Sequence, residues 1–160
     1  MKKIISISLL FSILSFCGCW KREQQPLEHT VLEKVCTDAF APFYDERKHS
    51  RFHHVDFTGY LAAPKSAMVS NTMFVEVYQQ PNRAGAYVLA SFTVGTRKNQ
   101  VERLKSGYKE SDLKIESNSG VMLGNGSKVK IEGDVAPGAI PGKPMEKNCA
   151  VRVDTVEKAD

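Results

Sequence analysis

From residue 53 onward, apolar and polar residues alternate with a period of two over most of the chain. Such alternation is typical of strands with one face in a core and the other in solvent. It predicts main strands over residues 53–63, 72–79, 86–95, 128–135 and 149–156, and a short one over 112–116. Pro81 and Gly85 lie between the second and third segments, where they favour a hairpin turn.

Two segments have apolar residues spaced by three and four instead. This spacing predicts an amphipathic helix over residues 27–39 and a second helix over 98–108, with Gly107 near its end. Residues 40–52, 117–127 and 137–144 are rich in turn-forming or charged residues and are predicted loops. We therefore expect an N-terminal helix, three strands, a helix and at least two closing strands.

That order is the one found in the OB-fold, a five-stranded Greek-key barrel. Specific stretches carry the likeness: Phe-Thr-Gly-Tyr-Leu at 57–61, Phe-Val-Glu-Val-Tyr at 74–78, Gly-Asn-Gly-Ser-Lys-Val-Lys-Ile-Glu-Gly at 124–133, and residues 149–157. The chain resembles small bacterial OB-fold lipoproteins, related in fold to the tRNA-anticodon-binding-like group, over residues 53–158. The resemblance implies a mainly β fold with one helix before the barrel and one between strands three and four. An open β-sandwich is the alternative.

The first eighteen residues have the pattern of an export signal. A positive start is followed by an apolar run over residues 4–16, which is shorter than a membrane span. The run ends in a motif that resembles the lipobox of bacterial lipoproteins, with Gly18 before Cys19 and an apolar Phe16 three positions back. Phe16 departs from that family, which usually has leucine there. Cys17 is a rival anchor with Leu14 well placed, but bulky Phe16 directly before it fits poorly.

The resemblance implies a signal peptide over residues 1–18, lipid attachment at Cys19 and a polar tether over 19–26 that leads into one domain over 27–160. Two or three acyl chains, palmitate among them, hold a protein firmly in a membrane. Trp20 stands where some bacteria use aspartate to retain lipoproteins in the inner membrane, so its presence favours the outer membrane. The alternative is an apolar N-terminal segment that is not lipidated.

If Cys17 is removed and Cys19 is lipidated, Cys36 and Cys149 remain as a pair. In an oxidising compartment such a pair favours a disulfide that closes a loop of over a hundred residues. Two separate buried thiols are the alternative.

Charge and motifs exclude several classes of function. Loss of Lys2 and Lys3 with the leader leaves 20 basic against 18 acidic residues, a net charge of +2, which argues against nucleic acid as a partner. There is no nucleophile elbow, phosphate loop, dinucleotide fingerprint or zinc-binding helix motif, so we expect no enzyme and no cofactor. His53 and His54 are adjacent on a predicted strand and face opposite sides, so we expect no metal site.

The remaining candidates are aromatic. OB-folds bind ligands on the outer face of strands two and three, where Phe74, Tyr78 and Tyr87 lie with Arg83 at the turn between them. The sequence therefore predicts a lipid-anchored, non-catalytic binding or adaptor module of the cell envelope, with a protein, peptide or glycan as ligand. The alternative is a binder of single-stranded nucleic acid or oligosaccharide.

Overall fold

The fold is described from a computed structural model, which covers residues 25–40, 43–45, 49–66, 70–137 and 149–160. The predicted leader, the anchor Cys19 with its rival Cys17, most of the tether, and the loop after residue 137 lie outside these ranges. The described strands are β1 (Leu27–His29), β2 (Phe43–Asp45), β3 (His49–Arg51), β4 (His54–Ala62), β5 (Thr72–Gln80), β6 (Ala84–Val94), β7 (Gln100–Val101), β8 (Ile115–Glu116), β9 (Met122–Leu123), β10 (Lys128–Pro137) and β11 (Cys149–Lys158). One α-helix, α1, spans Leu32–Val35.

Five long strands close into a barrel. β4 pairs with β5, β5 with β6, β6 with β11, β11 with β10, and β10 returns to β4. The β6–β11 pair is parallel and the other four are antiparallel. This closed five-stranded order is OB-like, so the mainly β barrel predicted from the sequence is confirmed. The five long predicted strands are all present, each within three residues of its expected bounds.

The barrel interior is filled by the inward residues of these strands. Val75, Val77 and Phe92 are buried with the alternate residues of the other strands. Two glycines allow close approaches: a Cβ on Gly59 would lie 2.8 Å from the carbonyl oxygen of Tyr78, and one on Gly133 would lie 2.2 Å from that of Arg152. The interior of the barrel is therefore narrow. Because only one face of each strand points into it, apolar and polar residues alternate along the strands.

The predicted helix over residues 27–39 is wrong in its extent. Leu27–His29 pairs in parallel with the start of β4, and only one helical turn, Leu32–Val35, follows. Leu27 and Val31 are 40% and 54% exposed, so the apolar residues of this segment do not share one buried face. The predicted disulfide is present: Cys36 directly follows α1 and is bonded to Cys149 at the start of β11, with their Cα atoms 5.5 Å apart.

The predicted helix over residues 98–108 is also wrong. Asn99 has a positive φ of 60°, which α-helices do not contain, and β7 begins at the next residue. Val101 and Leu104 are buried as expected, but the backbone nitrogen of Glu102 donates to the carbonyl oxygen of Lys114, directly before β8. The link between the third and fourth barrel strands is thus made of short strands and one 3-10 turn, Glu110–Asp112. Over the described ranges, no helix is long and apolar enough to cross a membrane.

Candidate functional site

Three tyrosines form one row across the outer face of the barrel. The register places Tyr60 of β4 opposite Tyr78 of β5, and Tyr78 opposite Tyr87 of β6. The rings of Tyr78 and Tyr87 stack with centroids 5.2 Å apart and planes 26° apart. Tyr87 is 55% exposed, so its outer ring face is open to solvent. Tyr78 is only 8% exposed and Tyr60 is half-buried, so Tyr87 offers most of the aromatic surface that an approaching ligand can cover.

A pocket of about 280 Å³ opens beside this row. Its lining combines the two tyrosines nearer β4 with polar groups from three loops: Tyr60, Leu61, Ala62, Tyr78, Asn82, Arg83, Glu110, Asn125 and Gly126. The volume is slightly below the usual range for small-molecule sites, and the lining is more polar than is usual for them.

Arg83 is held at the pocket by its own ion pairs. It occupies the tight turn between β5 and β6 with a positive φ of 60°, a conformation that costs a non-glycine residue about 1 kcal/mol or more. Its guanidinium donates to Glu110 at 2.8 Å through Nη2 and 3.2 Å through Nε, and also to Glu76. Nη2 donates as well to the carbonyl oxygen of Ala63 at 2.6 Å. These contacts fix the side chain against the barrel.

The same group of charges affects Tyr78. Burial raises the pKa of the Tyr78 phenol, the hydrogen bond from Arg83 opposes this, and the neighbouring Glu76 carboxylate raises it further. The phenol stays protonated at neutral pH and donates to Glu76 at 3.0 Å. With Arg83 against Glu76 and Glu110, the charged groups here carry a net charge of −1.

Three of the four predicted ligand residues therefore lie together: Tyr78, Arg83 and Tyr87. Phe74 is on the same outer face of β5 but four residues away, about 13 Å along the strand, and it does not line the pocket. Tyr60 was not among the ligand residues predicted from the sequence, and it joins the row through strand register. Its outward position in the alternation of residues 53–63 was the available signal.

A second polar cluster lies on the outer face of β4, β10 and β11. His54 is buried, and its two ring nitrogens face different carboxylates: Nδ1 is 3.0 Å from Asp134 Oδ1, and Nε2 is 3.0 Å from Glu132 Oε1. Asp154 Oδ2 is 3.7 Å from the same Nδ1. His53 faces elsewhere, with Nδ1 2.7 Å from Glu28 Oε1, as expected for neighbours on a strand.

Burial and charge act in opposite directions on this cluster. Burial lowers the pKa of His54, but the hydrogen bonds and negative charges of Glu132 and Asp134 outweigh it, so the pKa of His54 is raised. Burial and the nearby Asp134 carboxylate raise the pKa of Asp154, although His54 and Arg152 oppose this. The cluster thus contains more negative charge than its own cations balance.

Comparisons with known proteins assign no family to this chain. No family model matches the chain, and no curated protein matches it. Among solved structures, a putative aspartyl-tRNA synthetase from Leishmania major Friedlin matches 82% of this chain at 10% identity, with a TM-score of 0.43. The chain spans about a fifth of the length of that protein. The OB-like assignment therefore rests on strand order and register.

Proposed function

We propose that the protein is a lipid-anchored component of the bacterial cell envelope, whose OB-like barrel is a non-catalytic module that binds an oligosaccharide at the tyrosine row. The lipobox-like sequence around Cys19 supports the anchor. The disulfide between Cys36 and Cys149 supports export, because disulfides persist in oxidising compartments and are rare in the cytosol. In this proposal the tether of residues 19–26 holds the barrel close to the outer membrane.

The tyrosine row beside a polar pocket is the observation that carries the binding function. The face that strands two and three present is the one on which OB-folds bind oligonucleotides and oligosaccharides. Aromatic ring faces suit the apolar faces of sugar rings. Asn82 also lines the pocket. Glu110 and Asn125 already bond to Arg83, to the backbone nitrogen of Ala63 and to each other, but their oxygens keep lone pairs that can accept from sugar hydroxyls.

An uncharged ligand is favoured over nucleic acid by the state of Arg83. Phosphate recognition relies on cations that are free to replace counterions. Arg83 already pairs with Glu76 and Glu110, and the net charge of −1 at this group would repel a phosphate. Moving Arg83 toward a phosphate would leave both carboxylates without their partner.

Binding to an uncharged oligosaccharide tests this proposal directly. The detergent-extracted full chain is titrated by calorimetry with a β-1,4-linked N-acetylglucosamine tetramer, and in parallel with a twelve-residue oligodeoxythymidylate, at low and high salt. We expect the tetramer to bind with little salt dependence and to be recovered unchanged by mass spectrometry. The Tyr87→Ala variant should weaken binding by about tenfold. Stacking of a nucleic-acid base on an exposed aromatic ring contributes about 1–3 kcal/mol, and we expect a sugar face on Tyr87 to contribute at the lower end of that range.

Two matched variants control this experiment. Tyr87→Phe keeps the ring and should bind like the wild type, while Thr58→Ala alters the exposed outer face of β4 away from the pocket and should change nothing. Absence of tetramer binding, or equal binding by Tyr87→Ala, would rule out the oligosaccharide role. Tight oligodeoxythymidylate binding that weakens steeply with salt would assign the tyrosine row to nucleic acid instead.

A further inference from the structure

Strand register and a β-bulge bring His54, Asp134 and Asp154 together from three adjacent strands. His54 on β4 lies opposite Asp134 on β10, which in turn lies opposite Arg152 on β11. One step along the sheet, Val153 opposes Gly133 but Thr155 opposes Glu132, so Asp154 is the extra residue of a bulge. Bulges turn a side chain away from its regular direction and are frequent beside functional sites. Here the bulge places the Asp154 carboxylate against the Asp134–His54 pair.

The donor atoms of these residues have the spacing of a coordination sphere. His54 Nδ1 lies 3.0 Å from Asp134 Oδ1 and 3.7 Å from Asp154 Oδ2, and one ligand atom from each of the three residues lies within 4.8 Å of the others. Ligands at about 2.0–2.2 Å from a tetrahedral zinc ion are about 3.4 Å apart. The two measured distances lie on either side of that value. An ion would take the place of the proton in the 3.0 Å contact between His54 and Asp134, and the half-exposed Asp154 side chain could adjust to complete the sphere.

The surrounding residues orient the donors in the way that metal sites require. Both ring nitrogens of His54 face a carboxylate at 3.0 Å, Nε2 toward Glu132 and Nδ1 toward Asp134. An ion bound at Nδ1 would displace the proton between His54 and Asp134, while Glu132 would keep the proton on Nε2 and so orient the ring. Arg152 donates to Oδ2 of Asp134, which leaves Oδ1 directed toward His54. His54 itself is only 6% exposed, so its ring is held by packing and cannot turn away.

Charge points to a divalent ion in the same place. Glu132, Asp134 and Asp154 supply three negative charges, while Arg152 supplies one positive charge. A doubly charged ion bound to neutral His54 brings the group to neutrality. A mixed set of one imidazole and two carboxylates suits zinc and similar transition metals better than magnesium or calcium, which prefer oxygen alone. We propose that His54, Asp134 and Asp154 bind a divalent transition-metal ion, with Glu132 as a positioning residue behind His54.

Zinc binding by the intact chain tests this site independently of any oligosaccharide. The detergent-extracted protein, stripped with chelator, is titrated with zinc by calorimetry, and bound metal is counted after desalting. We expect one zinc ion per chain and a rise in melting temperature with zinc. Asp154→Asn should weaken zinc binding by about tenfold or more, and Glu132→Ala by about 10- to 100-fold, as found when a second-sphere carboxylate is lost.

The variants are chosen so that folding does not confuse the result. The Asp154 side chain is 48% exposed, so Asp154→Asn should melt like the wild type without zinc. Glu157→Gln, three residues along β11 and bonded to Ser119, is the matched control and should bind zinc normally. No zinc uptake by the wild type, or an unchanged affinity in Asp154→Asn, would overturn the proposal. A preference for calcium or magnesium over zinc would remove His54 from the ligand set and overturn it as well.

Discussion

Removing the disulfide between Cys36 and Cys149 should cost more stability than any single side chain of the barrel. The bond joins residues 113 positions apart, so it constrains nearly the whole unfolded domain. The chain-entropy relation gives about 4.8 kcal/mol at 25 °C for a loop of this length. At about 2.1 cal/mol/K of unfolding entropy per residue, a domain of this size should lose about 15–20 °C in melting temperature.

The assay compares thermal unfolding, followed by circular dichroism, of the wild type with and without reductant and of a Cys36→Ala/Cys149→Ala double variant. Reduction should lower the melting temperature of the wild type by the amount above and leave the double variant unchanged. The double variant should melt slightly below the reduced wild type, because Cys149 is buried and its sulfur also fills space. Hydrogen exchange should show that α1 and β1 lose protection first.

Equal melting temperatures for oxidised and reduced wild type would refute this reasoning. So would a double variant that still responds to reductant. The first result would mean that α1 is held by the packing of Leu32 and Val35 alone, and that the loop closed by the bond adds nothing to stability. The second would mean that the reductant acts on stability through something other than this bond.

Two further predictions concern substitutions of single residues. Gly133→Ala should destabilise the barrel by about 3 kcal/mol in urea unfolding, because the added Cβ meets the backbone of Arg152. Gly95→Ala is the matched control and should cost less than about 1 kcal/mol, because its Cβ meets only the movable Gln100 side chain. Burial raises the pKa of Asp56, but its hydrogen bonds with Lys130 and His29 outweigh this and lower it. Its stabilisation should therefore be complete above about pH 4 and be lost at lower pH, and Asp56→Asn should flatten that acid dependence.

Each of these has a clear contrary outcome. Equal destabilisation by the two alanine substitutions would show that the backbone of Arg152 on β11 does not lie close enough to Gly133 on β10 to exclude a Cβ. An Asp56→Asn variant with the same loss of stability between about pH 4 and pH 2 as the wild type would show that another carboxylate is responsible for the acid sensitivity.

The strands could be predicted because the barrel leaves little choice about its interior. Each inward position of a narrow barrel must be apolar, so residues such as Val129, Ile131 and Val135 carry the period of two in the sequence itself. The first helix is shorter than predicted and the second does not form, because a spacing of three and four arises by chance in short segments. Tertiary pairing decided those segments: Leu27–His29 and Gln100–Val101 found strand partners along the barrel.

The candidate sites depend on register, which the sequence does not display. Tyr60, Tyr78 and Tyr87 are separated by 18 and 9 positions and meet only because β4, β5 and β6 align them in one row. The sequence places His54 beside His53, but the carboxylates that contact it in the fold lie 78 to 100 residues away. Asp154 reaches it only through a bulge, which shifts the alternation by one residue and leaves no mark in the sequence pattern.

The intact mass of the protein extracted from bacterial membranes, measured with and without reductant, is the most direct test of the proposed lipid anchor. We expect a mass equal to residues 19–160 plus two or three acyl chains, with a gain of two hydrogens on reduction. A mass corresponding to the full-length chain, or to a processed chain without acyl groups, would contradict the lipid anchor at Cys19. A mass that does not change on reduction would contradict the bond between Cys36 and Cys149.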